Sequence, residues 1–173
     1  MKNFEGIPIK SKREIEIMQE GGKRLSEVKH ILASRVREGV SAWEIEEEAE
    51  KQILKRGGTP SFKTVPGYSW ATCINVNEGI VHGIPKKDVI FKKNDLVSVD
   101  LGLIYKGFHT DTSFSLVIGK DPLKEKFLEA GRKALSLAID NARAGRRIFD
   151  ISKAIEETLN KAGYRPVRSL FGH

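Results

Sequence analysis

The sequence predicts an α+β fold, in which helices cover the apolar face of a sheet. Three observations carry this prediction. Helix-period segments opened by capping boxes come first, and two further capped helical segments close the chain. Between them, "VSVDLGLIYKGFHTDTSFSLV" is rich in strand formers that alternate apolar and polar.

Ser11 followed by Glu14 makes the first capping box. Behind it Ile15, Met18, Leu25, Val28, Ile31, Leu32 and Val36 recur at helical spacing, which predicts a helix to about Gly39. Gly21-Gly22 interrupts that helix at about 1 kcal/mol per glycine relative to alanine, so either it bends there or another backbone packs closely. Ser41 and Glu44 repeat the capping box for a second helix, which Gly57-Gly58 stops. From Thr59 to Ser69 the chain reads as loop, with Pro60, Pro66 and Gly67; "ATCINVN" is then a short strand and "EGIVHGIP" a turn or loop. Asp121 and Pro122 cap and begin a long helix through Arg143, with Phe127, Ala134, Leu135, Ala138 and Ala142 facing inward. Asp150 opens another helix that ends near Gly163.

The hairpin holds two aspartates, Asp100 and Asp111, although Asp is depleted in strands because its carboxylate resists burial. A Lys106-Gly107 loop makes the index sum of paired residues odd. Ser98, Asp100, Gly102 and Ile104 then share a face with His109, Asp111, Ser113 and Ser115. The opposite face takes Val97, Val99, Leu101 and Leu103 with Phe108, Phe114 and Leu116. Asp111 lies opposite Gly102 with Asp100 as its diagonal neighbour, about 7–8 Å away between backbone positions. Two like charges so close need a shared proton or a cation if they are buried, and a divalent metal resolves the conflict. The competing reading is a merely solvated polar face.

A chain of 173 residues is long enough for one domain with a real core, which predicts a single domain over residues 1–173. The single cysteine, Cys73, excludes an internal disulfide framework and suits a reducing compartment. The N-terminus has no apolar leader core and no stretch approaches membrane-spanning length, so a soluble, cytoplasmic protein without a membrane partner is expected. The net charge of +7 is spread among glutamates, with no basic run interleaved with aromatics. That pattern predicts a solvated surface with a mild attraction to polyanions and no specific nucleic-acid recognition.

His82 sits in "NEGIVHGIP" between Gly79 and Gly83, in a loop from which a side chain can reach a cleft. Taken together, "TCINVNEGIVHGIP", "VSVDLGLIYKGFHTDTS" and the terminal "FGH" closely resemble type I methionine aminopeptidases, metal-dependent enzymes of the pita-bread fold. The resemblance runs over almost the whole chain. It implies that Asp100 is a bidentate metal ligand, that Asp111 bridges two metal ions and that His173 is the histidine ligand of one of them. It assigns His82 a catalytic role, hydrogen-bonding substrate near the scissile amide without touching metal. Phe62, Tyr68 and Cys73 fall at positions of the methionine pocket, where apolar walls and a soft sulfur suit a thioether.

The implied cofactors are two divalent ions, cobalt, manganese, iron or zinc, that activate water for attack on the peptide bond. The implied activity is removal of the initiator methionine from peptides and nascent proteins, with the ribosome near the exit tunnel as a partner. The family pattern also asks for two strand-borne glutamates and a second histidine that would lie beyond His173. The sequence therefore reads as the N-terminal portion of a pita-bread catalytic domain, incomplete at its C-terminus and expected to be inactive by itself. Two other readings are a non-catalytic pita-bread relative that binds protein or RNA, and a proline-specific metallopeptidase. Retention of Asp100, Asp111, His82 and His173 together favours the enzyme, and the segment before His82 argues against the proline-specific cousins.

Overall fold

Both N-terminal capping boxes close in the structure, a computed structural model that describes Gly6 and residues 8–170. The Ser11 N–H donates to Glu14 Oε2 at 2.6 Å and the Glu14 N–H donates to Ser11 Oγ at 3.3 Å, which opens α1 (Lys12–Arg35). Ser41 and Glu44 exchange the same pair at 2.8 and 3.1 Å and open α2 (Ala42–Lys55). Next come β1 (Thr59–Pro60), a 3-10 turn at Phe62–Thr64, β2 (Thr72–Val76), β3 (Leu96–Tyr105) and β4 (Phe108–Val117). Two more helices follow, α3 (Pro122–Asn141) and α4 (Ile148–Lys161). The elements fall into two compact units, the chain passing from the first to the second between Ile118 and Gly119.

In the first unit β3 is the central strand. β4 pairs along its whole length on one side, while β2 and the two-residue β1 lie end to end along the other, all antiparallel. Tyr105 pairs with Phe108 across a Lys106-Gly107 loop whose φ angles are +48° and +84°. Positive φ at both positions is the type I′ geometry that matches strand twist, which explains the glycine. The predicted parity follows from this loop. Val97, Val99, Leu101 and Leu103 are fully buried against Leu25, Val28 and Leu32 of α1 and Ile45, Ala49 and Ile53 of α2. Each such side chain contributes about 1.5–3 kcal/mol by leaving water.

The helix α1 runs unbroken through Gly21-Gly22. A Cβ on Gly21 would lie 3.3 Å from Tyr105 Cβ and 3.5 Å from Thr110 Cγ2, so the glycine lets the helix settle closely onto the hairpin. The segment read as loop from Thr59 contains β1 and the 3-10 turn, elements too short to show a period.

In the second unit the Asp121 carboxylate accepts from the Leu123 and Lys124 N–H groups at 3.0 and 3.2 Å, with Pro122 in the first turn. The helix ends at Asn141, short of Arg143. Its buried residues are Leu128, Ala130, Ala134 and Ala138, whereas Phe127, Leu135 and Ala142 are exposed. Small residues four apart allow close approach, and the larger apolar residues flank that stripe. Phe127 meets Tyr164, beyond α4, edge to face at 5.1 Å. Asp150 is not the cap of α4 but its third residue, where its carboxylate accepts from the Arg147 N–H at 3.0 Å.

Candidate metal centre and substrate pocket

The register across the hairpin pairs Gly102 with Asp111 and Asp100 with Ser113. The carboxylates are therefore diagonal neighbours on the polar face, as strand period and loop length require. Asp111 is exposed, while Asp100 is half-buried and its Oδ1 atom lies in the interior. Cys73 of β2 pairs with Asp100 from the other side, so Cys73, Asp100 and Ser113 form one row across the sheet. In a neighbouring row Ser98 Oγ and Ser115 Oγ are 2.7 Å apart.

Gly102 makes room for the next component. A Cβ there would sit 1.9 Å from Ser61 Oγ and 3.1 Å from Phe62 Cε1, so a side chain at this position would displace the Ser61 hydroxyl and press on the Phe62 ring. The Ser61 N–H fixes the crossing by donating to the Gly102 carbonyl at 3.0 Å. Phe62 is thereby held at the strand position paired with Asp111. Its ring lies 6.5 Å from that of Tyr68, which is 5.2 Å from Trp70, both edge to face. The Tyr68 hydroxyl donates to the Thr72 carbonyl at 2.7 Å and lies 3.1 Å from Cys73 Sγ. Phe62, Tyr68 and Cys73 are thus joined into one wall beside the carboxylates, and Trp70, which the sequence reading did not single out, extends it.

Electrostatics tie the wall to the acidic pair. Burial pushes the Cys73 thiol pKa up, and the negative charges of Asp100 and Asp111 push it further, against a lowering by the Tyr68 hydrogen bond. Burial likewise raises the Tyr68 hydroxyl. Behind the wall is Glu46 of α2, a buried carboxylate also absent from the sequence-predicted site. It accepts from the Ala71 N–H at 2.6 Å, the Thr72 N–H at 2.9 Å and Thr72 Oγ1 at 2.6 Å. Burial raises its pKa, and those three donors partly offset the rise.

His82 projects from the loop that follows β2. It is exposed and held at φ +55°, unusual for a residue with a side chain. The loop is fastened immediately after it: the Ile74 N–H donates to the Gly83 carbonyl at 2.8 Å, and the Gly83 N–H donates to Asn75 Oδ1 at 3.1 Å. The Ile74 amide, spent on Gly83, marks the β2 edge that carries this loop. The remaining sequence-predicted ligand, His173, lies outside the described residues. Among the described residues no group of three or more His, Cys, Asp or Glu side chains is arranged to hold a metal ion.

The donor chemistry of the acidic pair nevertheless suits a divalent cation, since hard carboxylates stand on one sheet face of adjacent strands. Residues 16–173 match the model for metallopeptidase family M24. The chain belongs to that family. A methionine aminopeptidase of Aquifex aeolicus is 40% identical, over 96% of this chain and 67% of its own length. Methionine aminopeptidase 1 of Bacillus subtilis is 33% identical, with coverage of 96% and 67%. The crystal structure of methionine aminopeptidase from Thermotoga maritima superposes with a TM-score of 0.93 at 34% identity, covering 96% of this chain and 67% of that one. A prolidase from Pyrococcus horikoshii, at 23% identity and a TM-score of 0.79, shares the fold alone. The chain spans about two thirds of the length of the methionine aminopeptidases it matches. The α+β pita-bread class and a metal-dependent peptidase family, both expected from the motifs, are borne out.

Proposed function

We propose that this protein removes the N-terminal methionine from peptides and nascent proteins. The observation that carries the reading is the juxtaposition of Asp100 and Asp111 on one sheet face with the wall made by Phe62, Tyr68 and Cys73. In that wall an unbranched thioether meets aromatic edges and a polarizable sulfur, contacts that a shorter or charged side chain cannot reproduce.

Asp100 and Asp111 would hold metal through their carboxylates, joined by His173. When bound, two divalent ions, manganese, iron, cobalt or zinc, supply a nucleophile at neutral pH and Lewis acidity toward the carbonyl. His82 would donate a hydrogen bond beside the scissile amide, from a loop whose attachment to β2 limits its wandering. Phe62, Tyr68 and Cys73 orient the substrate by its side chain and exclude water from it. Because the family match crosses from one unit into the other, we assign residues 1–173 to one metallopeptidase domain. Newly made chains carry this substrate as they leave the ribosome, so we place the reaction in the cytoplasm near the exit tunnel. Among the described residues no helix is long and apolar enough to cross a membrane.

The test is a side-by-side assay of the gene product, supplied with manganese or cobalt, on Met-Ala-Ser and Xaa-Pro peptides. Methionine release from the first alone is expected. Cleavage restricted to Xaa-Pro would move the protein to the proline-specific class, and cleavage of neither, with metal bound, would overturn the catalytic reading.

A further inference from the structure

We infer that Glu46 is a positioning residue that sets the Tyr68–Cys73 wall and so governs which N-terminal side chain fits, without touching it. The inference rests on the methionine-pocket reading above. Its basis is a continuous chain of contacts. Both Glu46 oxygens are engaged from residues 71–72, Oε1 by the Ala71 amide and Oε2 by the Thr72 amide and hydroxyl. Thr72 then accepts the Tyr68 hydroxyl on its carbonyl, and that hydroxyl reaches the sulfur of the next residue, Cys73.

A buried carboxylate is costly without strong donors, and this one takes three, all from two consecutive residues. Aliphatic packing in that place would fill space but could not fix the orientation of two peptide planes. The Thr72 carbonyl belongs to the next peptide unit, joined to the clamped planes through the Thr72 α-carbon, so loosening the Glu46 clamp frees both the tyrosine and the sulfur. The wall nearest Asp100 is therefore referenced to α2 rather than to the loop that precedes it.

Cys73 is the single cysteine of the chain and is almost fully buried, which makes its alkylation by maleimide a specific reporter that needs neither metal nor turnover. Glu46→Gln keeps the shape but presents an amide N–H to donors. In this variant Cys73 should be alkylated about tenfold faster than in the natural protein, the change expected for loss of one or two buried hydrogen bonds. Thr72→Val, which removes the hydroxyl donor alone, should give a smaller rise. Val28→Ala lowers stability in the core of α1, far in sequence from the wall, and serves as the control for mere loosening of the fold. Labelling of Glu46→Gln no faster than that of Val28→Ala would overturn the proposal. A second arm measures protection of Cys73 by L-methioninamide against L-alaninamide. Preferential protection by the methionine compound in the natural protein, lost in Glu46→Gln, is expected. No protection in the natural protein would sink the pocket reading, while the labelling rates would still decide the role of Glu46.

Discussion

A carboxylate that holds cations and a histidine that meets substrate fail in different ways when replaced. Asp111→Asn exchanges a charged oxygen for a neutral amide, a weak ligand, so the variant should lose at least one metal equivalent and its activity together. His82→Ala should keep its metal and lose turnover by about a hundredfold or more. Elemental analysis of the two purified variants separates these outcomes, and metal loss from the histidine variant would refute the assignment. The acidic pair was legible in the sequence because strand period and an even loop fix which residues share a face, whatever the rest of the fold does. Glu46 was harder to see, since it stands in a run of glutamates, "EIEEEAE". The signal was present all the same. Ala42, Ile45, Ala49 and Ile53 mark the buried face of α2, and Glu46 occupies a position on that stripe where a charge requires a partner.

Elements place these residues, and two glycines show how closely. A Cβ on Gly83 would lie 2.1 Å from the Ile74 carbonyl oxygen, a backbone atom that cannot step aside. Gly83→Ala should therefore push the His82 loop off β2, costing about 1–3 kcal/mol of stability and lowering turnover while metal content stays intact. Gly107→Ala, at φ +84° in the hairpin loop with open space around it, should cost about 1 kcal/mol and leave turnover alone. Thermal melts and steady-state kinetics on the pair test this contrast; natural turnover in Gly83→Ala would detach His82 from the mechanism. The helices of the first unit were readable from capping boxes, whose reciprocal hydrogen bonds are local. The strand pairing of Thr59–Pro60 was not, because two residues show no period and their partners, Ile104 and Leu103, lie far along the chain. The start of α4 was displaced for a related reason: Asp serves either as cap or as third residue, and only the path of the preceding backbone decides.

At the scale of the molecule, charge and apolar surface point the same way. The resemblance to methionine aminopeptidases implies carboxylate ligands in addition to Asp100 and Asp111, and two divalent ions held by this pair with one histidine would remain strongly under-neutralised. A polypeptide confined to these 173 residues should therefore release no methionine from Met-Ala-Ser, even with manganese or cobalt supplied. It should also bind a hydrophobic dye, because the second unit displays Leu123 and Ile148, each 79% exposed, and Phe149, 68% exposed. These three are large apolar side chains whose burial would each be worth about 1.5–3 kcal/mol, so a chain that leaves them in water has reason to self-associate. Replacing Ile148 and Phe149 with lysine should quench the dye signal without altering the fold of the first unit, whose core holds neither residue. Dye fluorescence, light scattering and the peptide assay on that polypeptide together test the argument. A dark, monodisperse and active 173-residue polypeptide would mean that the ligand set lies elsewhere in the chain than on the β3–β4 face.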